Sequence, residues 1–193
     1  MLIRVVVSNF MAYGHETEFN MLPSQTVRRN DWHVHNDVPG VPVLRTAVIY
    51  GANGAGKSCL IKAIGRLQAM VMHGFLPPAA SRDTNKYTGT KVPVTLEIEF
   101  MTAKGQYSYG ASYRGSYCVE EWLYSTKRTP KCIFERKSDV ATGKTKISLL
   151  PAKKEDAKNK MLVSLLEENI LKSNELLLSK YDVVKVPQMK DAY

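Results

Sequence analysis

The chain lacks the means by which small folds are usually stapled. Its 193 residues hold three cysteines, Cys59, Cys118 and Cys132, odd in number, widely spaced and without a C-x-x-C pair. This argues against a disulfide framework or a thiolate zinc site and reads as reduced thiols in a cytoplasmic protein. No apolar run approaches the ~20 residues of a membrane-spanning helix, so no membrane partner is expected. The opening Met1-Leu2-Ile3-Arg4-Val5-Val6-Val7 is strand-like, too short for a signal h-region and followed by no cleavage site. Acidic residues are in deficit, 18 against 27 basic, for a formal charge of +9. Such a balance suits a polyanion, either nucleic acid or a nucleotide, and equally suits a solvated basic surface. Hydrophobic content of 44% and charged content of 23% are those of a globular protein, with length for one domain or one and a small annex.

Aromatic residues are missing where they would be most telling. The largest basic cluster is Lys144, Lys146, Lys153, Lys154, Lys158 and Lys160, interrupted only by Glu155 and Asp156. Without interleaved rings it has no base-stacking platform. It suits a phosphate backbone and does not read base sequence.

What is present is sharper. Gly51-Ala52-Asn53-Gly54-Ala55-Gly56-Lys57-Ser58 satisfies G-x-x-x-x-G-K-[ST], the phosphate-binding P-loop. The apolar, β-branched run 44–50 reads as a buried strand before it, and Lys57 opens a helix after it. Glycines let successive N–H groups converge on one point, and the helix adds its unpaired N–H groups and positive dipole end. The expected nucleotide-binding residues are Asn53, Gly54, Ala55, Gly56, Lys57, Ser58 and Cys59. Lys57 reaches the β- and γ-phosphates as the catalytic cation, and the Ser58 hydroxyl ligates Mg²⁺. The expected cofactors are ATP and Mg²⁺. Cys59 reads as a small packing residue behind the loop.

In chain order, residues 2–8 and 17–19 read as strands joined by a turn containing Asn9 and Gly14. Residues 21–43 form a polar insertion broken by Pro23, Pro39, Gly40 and Pro42. Within it, His33-Val34-His35 between Asp31 and Asp37 has the alternation of a metal pair but no third ligand pair; a surface loop is the alternative. Trp32 and Tyr13 are candidate adenine stackers, or apolar packing residues. The helix after the P-loop runs 57–73, with Leu60, Ile61, Ile64, Leu67 and Val71 on one face and Lys62 and Arg66 on the other, stopped by Gly74 and Pro77-Pro78. Residues 79–91 read as a Ser/Thr/Asn/Gly-rich loop.

From Val94 the period changes to two. Strands alternating through Val94-Leu96-Ile98-Phe100, Tyr107-Tyr109-Ala111-Tyr113, 117–124, 131–136 and 146–149 predict an antiparallel meander. The tyrosine row is one face of that sheet, or less simply a stacking platform. Residues 152–170 are helical, with Ala157, Met161, Leu162, Leu165, Leu166 and Ile170 on one side. A short helix follows over 175–180 with Ser173 or Asn174 as N-cap.

Several segments together resemble the SMC-like branch of ABC-type ATPases. They are Val7-Ser8-Asn9-Phe10, Ala47-Val48-Ile49-Tyr50-Gly51-Ala52-Asn53 with Gly56-Lys57-Ser58, Leu96-Glu97-Ile98-Glu99-Phe100, Val119-Glu120-Glu121-Trp122-Leu123-Tyr124 and Ile133-Phe134-Glu135-Arg136. More narrowly, the chain is similar to the ATPases of the AAA-fifteen type in phage-resistance systems, such as the PARIS ATPase and abortive-infection proteins. The likeness covers residues 2–136 and, weakly, 173–179. It implies an α/β fold of the P-loop NTPase, ABC/SMC type: an N-terminal lobe with a mixed sheet, a P-loop helix and an antiparallel β-meander. Within residues 1–193 the parts would be 1–78 (strands, P-loop and helix), 92–150 (meander) and 152–180 (helical). It also implies a homo-oligomer, antiphage defence, and ATP-driven holding or release of a toxin or nuclease effector. The family's Arg after Asn-Phe is Met11 here, so that nucleotide contact does not carry over.

The catalytic carboxylates are absent. No apolar strand after Ser58 ends in Asp-Glu, no Ser-Gly-Gly signature occurs, and Glu120-Glu121 falls inside the meander. The chain thus reads as the N-terminal lobe of a longer ATPase whose C-terminal half carries those parts. A DNA-repair or DNA-processing ATPase and a non-hydrolysing nucleotide-binding scaffold are the alternatives.

Overall fold

In the computed structural model, residues 1–24, 26, 30–36, 41–76, 78, 82–126, 129–149, 156–184 and 186–193 are described. The β-branched run Ile3 and Val5-Val6-Val7 makes Leu2–Ser8 (β1) a strand, and Thr17–Asn20 (β2) pairs back on it. The period-two stretches form Val94–Met101 (β5), Gln106–Arg114 (β6), Tyr117–Ser125 (β7), Lys131–Ser138 (β8) and Thr145–Leu149 (β9). Together they give one seven-stranded sheet, order β2-β1-β5-β6-β7-β8-β9, in which every neighbouring pair is antiparallel. A separate two-stranded ladder joins Val34–His35 (β3) to Val43–Leu44 (β4), and Val43 packs with Ile3 and Met101.

The sheet has two unlike faces. Its outer face is polar: Arg4 of β1 meets Glu18, Glu97 and Glu99 at 3.3–3.7 Å. Trp122 of β7 lies flat over Gly110 of β6, its register partner. The inner face is apolar and holds the helix Lys57–His73 (α1), which buries Leu60, Ala63, Leu67 and Met70 against Val5, Val7, Leu96 and Tyr109. Gly74 ends α1 in the left-handed conformation (φ 76°), donating to the Met70 and Val71 carbonyls. The tyrosine row belongs to this core: Tyr107, Tyr109 and Tyr113 are buried, and the hydroxyls of Tyr109 and Tyr113 bind Glu121 and Asp83.

The last third closes the core. Asp156–Leu165 (α2) continues as a wider turn over Leu166–Ile170, and Tyr181–Val184 (α3) and Pro187–Ala192 (α4) follow. Between them, residues 172–178 are held by two charges with no solvent exposure. Glu121 accepts the N–H groups of Leu177 (2.6 Å) and Leu178 (2.9 Å) and the Tyr109 hydroxyl (3.1 Å). Arg136, 3.9 Å from Glu121, donates to the Glu175 and Lys172 carbonyls. The same segment reaches the end of α1, through Leu76 N–H to Asn174 and Leu176 N–H to Gly74.

Several sequence expectations are corrected. The run 44–50 is not a buried strand: only Leu44 lies in a ladder, and Val48 and Tyr50 are 82% and 91% exposed. A strand buried on both faces needs ladder partners on both sides, and among the described residues none pairs with 46–50. Among the described residues the sheet thus has no parallel pair, where a mixed sheet was expected. On α1, Leu60 and Leu67 are joined in the core by Ala63 and Met70, with Ile64 and Val71 packed partly buried against it, whereas Ile61 is 61% exposed. Arg66 is no solvated residue; it pairs with buried Asp83. Residues 175–180 are not one helix: Glu175 bridges Phe75, and a single tight turn, without a side-chain cap, spans Leu178–Lys180. Lys153 and Lys154 of the basic cluster, Pro77 beside the α1 stop, and the side chains of Ala157, Lys158 and Ile170 lie outside the described residues.

The Gly110–Trp122 contact sets a steric test. A Cβ on Gly110 would sit 2.2 Å from the Trp122 ring. Gly110→Ala is expected to destabilise the fold by about 1–3 kcal/mol, seen as a lower urea midpoint at unchanged slope.

Candidate nucleotide-binding site

The loop begins where the exposed segment 46–50 ends and turns at three glycines. Gly54 (φ 81°) and Gly56 (φ 91°) adopt left-handed conformations that a Cβ would strain. Gly56 is the N-cap of α1: its carbonyl accepts the N–H groups of Cys59 (2.9 Å) and Leu60 (3.2 Å). Ala55 N–H turns inward to Ala52 (3.3 Å). The N–H groups of Asn53, Gly54, Gly56, Lys57 and Ser58 meet no acceptor among the described residues. Free N–H groups in a glycine-rich loop at a helix N-terminus suit an anion. Of the expected residues, Asn53, Gly54, Gly56, Lys57 and Ser58 thus offer free backbone donors, whereas those of Ala55 and Cys59 are engaged within the loop.

The Lys57 ammonium folds back over this loop, donating to the carbonyls of Gly51 and Ala52, both at 2.7 Å. These are neutral acceptors, so a phosphate oxygen at the loop would draw the ammonium away by a charge-assisted bond. The Ser58 side chain is exposed beside it, as a hydroxyl ligand to a cation requires. The donor set therefore fits a Mg²⁺-bound triphosphate.

One wall of the loop is the β1–β2 turn. Its Tyr13 hydroxyl donates to the Gly56 carbonyl at 3.1 Å, and a Cβ on Gly56 would meet Ala12 and Tyr13 at 3.5 Å. Burial, with the Cys59 thiol nearby, raises the Tyr13 phenol above its ordinary value, so it stays a donor at neutral pH. The structure gives Tyr13 a contact with the loop backbone, whereas Trp32 stacks on His33 at 3.5 Å in the insertion and is exposed. Among the described residues no three His, Cys, Asp or Glu side chains gather to hold a metal.

The residues that sequence reasoning passed over lie in the loop after α1. Asp83 is buried and takes the Arg66 guanidinium at 2.7 and 2.9 Å. Asn85 and Asn9 tie this loop to the β1–β2 turn. Their signal was their type: Asn and Asp side chains hydrogen-bond nearby backbone and so organise turns. Glu121, by contrast, is spent on the N–H groups of Leu177 and Leu178 within the core. Burial pushes the Cys118 thiol up to about 12, which makes it a packing residue.

A family model described as "AAA domain, putative AbiEii toxin, Type IV TA system" matches residues 47–155, more than half of the chain. The chain belongs to this family. Its P-loop and meander thus fall within a P-loop NTPase-like α/β fold, and the family is one of nucleotide-binding ATPases. No curated protein matches the chain. No helix among the described residues is long and apolar enough to cross a membrane.

Lys57 can be tested apart from the fold. Its ammonium is exposed and binds only carbonyls of its own loop. Lys57→Ala is expected to leave the melting temperature unchanged within a degree or so while weakening Mg-ATP binding about 10- to 100-fold, the worth of a charge-assisted bond. Isothermal calorimetry reads the second and differential scanning calorimetry the first.

Proposed function

We propose that this AAA domain is the ATP-binding N-terminal lobe of an SMC/ABC-like ATPase of the AAA-fifteen type, acting in antiphage defence. The observation that carries the reading is the cradle of five free N–H groups at the start of α1, with Lys57 and Ser58 beside it. In this reading the backbone of Asn53 to Ser58 holds the β-phosphate, and Lys57 leaves the Gly51 and Ala52 carbonyls for the γ-phosphate. Ser58 ligates the metal ion. Bound Mg²⁺ supplies charge neutralisation across the β- and γ-phosphates.

The same reading accounts for the exposed apolar surface around the site. Val48, Ile49 and Tyr50 run into the loop uncovered, and Ile61 and Met72 line the solvent side of α1. An uncovered apolar run and helix face of this kind suit a second sheet layer, in which the run gains strand neighbours. We assign that layer, with the missing metal-binding and water-activating carboxylates, to a C-terminal half of the complete ATPase. A homo-oligomer assembled on ATP would then hold a toxin or nuclease effector until a trigger releases it.

The expected behaviour of the 193-residue chain follows. It binds Mg-ATP and does not turn it over, because positioning and charge stabilisation by the absent carboxylates act together with the loop. Each lost factor of ten is about 1.4 kcal/mol of barrier. Calorimetry and phosphate release measured in parallel check this. Turnover near ~1 per second that Lys57→Ala abolishes would show a complete catalytic site; absence of ATP binding would remove the nucleotide reading itself.

A further inference from the structure

The turn that walls the phosphate loop is itself under constraint. Asn9 (φ 52°) and Met11 (φ 48°) are held in the left-handed region, which non-glycine residues adopt only when their surroundings fix them. What fixes them is the loop after α1. Met11 N–H donates to the Asp83 carbonyl at 2.6 Å, and Asn85 N–H to Asn9 at 3.1 Å. The Asn85 side chain donates to the Met11 carbonyl at 2.7 Å, and Thr88 to Gly14 at 3.0 Å. In return, Asn9 Nδ2 donates to the carbonyls of Gly89 and Val92. The turn is gripped from Asn9 to Gly14.

Asp83 is where this grip is anchored. Its carboxylate, almost wholly withdrawn from water, takes a two-pronged contact from Arg66 of α1. It also accepts the Tyr113 hydroxyl of β6 at 3.0 Å. Burial and the Asp83 charge raise the Tyr113 phenol, which keeps it a donor. One residue thus joins the P-loop helix and the meander through its side chain and the β1–β2 turn through its backbone carbonyl. The turn in turn holds the loop: Tyr13 bonds the carbonyl of Gly56, the residue from which the free N–H groups of Gly56, Lys57 and Ser58 are presented.

We propose that Asp83 and Tyr13 are positioning residues of the phosphate cradle: Asp83 sets the β1–β2 turn against α1, and Tyr13 sets the orientation of Gly56. Neither needs to touch the nucleotide. The effect falls on the phosphate part of the ligand alone, and the two residues act in series, so losing both does little more than losing one. This rests on the nucleotide reading above, and its test separates the two.

The test measures binding of Mg-ATP and of Mg-tripolyphosphate, which has no nucleoside, to the full chain and to Tyr13→Phe, Asp83→Asn and the double variant. The expected result is that each single change weakens both ligands alike, by about fivefold for one lost hydrogen bond. The double variant should be no more than about twofold weaker than the worse single one. A lowered melting temperature with parental affinity for both ligands would overturn the proposal, leaving Asp83 a purely structural residue. Loss confined to ATP would also overturn it, making Tyr13 a nucleoside contact, and so would additive losses. If Asp83→Asn does not fold, Arg66→Gln replaces it in the same cycle with the same outcomes. If the parent binds neither ligand, the nucleotide reading fails first; if it binds both and the variants bind equally well, only the present proposal fails.

Discussion

The closure of this fold depends on one buried pair of opposite charges. Glu121 and Arg136 are both fully withdrawn from water, which costs several kcal/mol per ion unless other dipoles replace the lost hydration. Here the replacement is the backbone of residues 172–178. Its N–H groups turn to the carboxylate and its carbonyls to the guanidinium. Removing either charge would leave the other facing dipoles of its own liking but no counter-ion, so the pair specifies one placement of the segment. That placement brings Asn174 and Leu176 against Gly74 and Leu76, and so fixes the C-terminal end of α1.

The middle of α1 is held by Asp83, through Arg66. A helix held by its Arg66 and capped at Gly74 has little freedom to rotate on the sheet, and its N-terminus carries the phosphate loop. The site is thus rigid on the side of the β1–β2 turn and open on the other. There the apolar residues 48–50 and the outer stripe of α1 have no cover.

The elements and the loop were legible in the chain because their signals are local. G-x-x-x-x-G-K-S needs no partner to be recognised: its glycines take left-handed angles and its lysine opens a helix. Likewise Val94-Leu96-Ile98-Phe100 and the tyrosine row declare strands by their period, and Gly74 declares the end of α1. The meander's order follows from its short turns. The run 44–50 shows the limit of such reading. β-branched residues favour a pleated chain, but a strand exists only when a neighbour supplies its ladder.

What only the tertiary structure decided was which polar side chains carry the fold. Glu120 and Glu121 are adjacent and alike in sequence; one faces solvent and the other anchors residues 177–178, because successive side chains of a strand point to opposite faces. Asp83 sits in a stretch whose composition says loop, and its place as the meeting point of α1, β6 and the β1–β2 turn comes from contacts 17 and 30 residues away in the chain. The sequence by itself determined the place of a glycine-rich turn opening a helix at Gly51 to Ser58, since those preferences are backbone and local. How that place is held depends on burial and distance, which are properties of the folded chain alone.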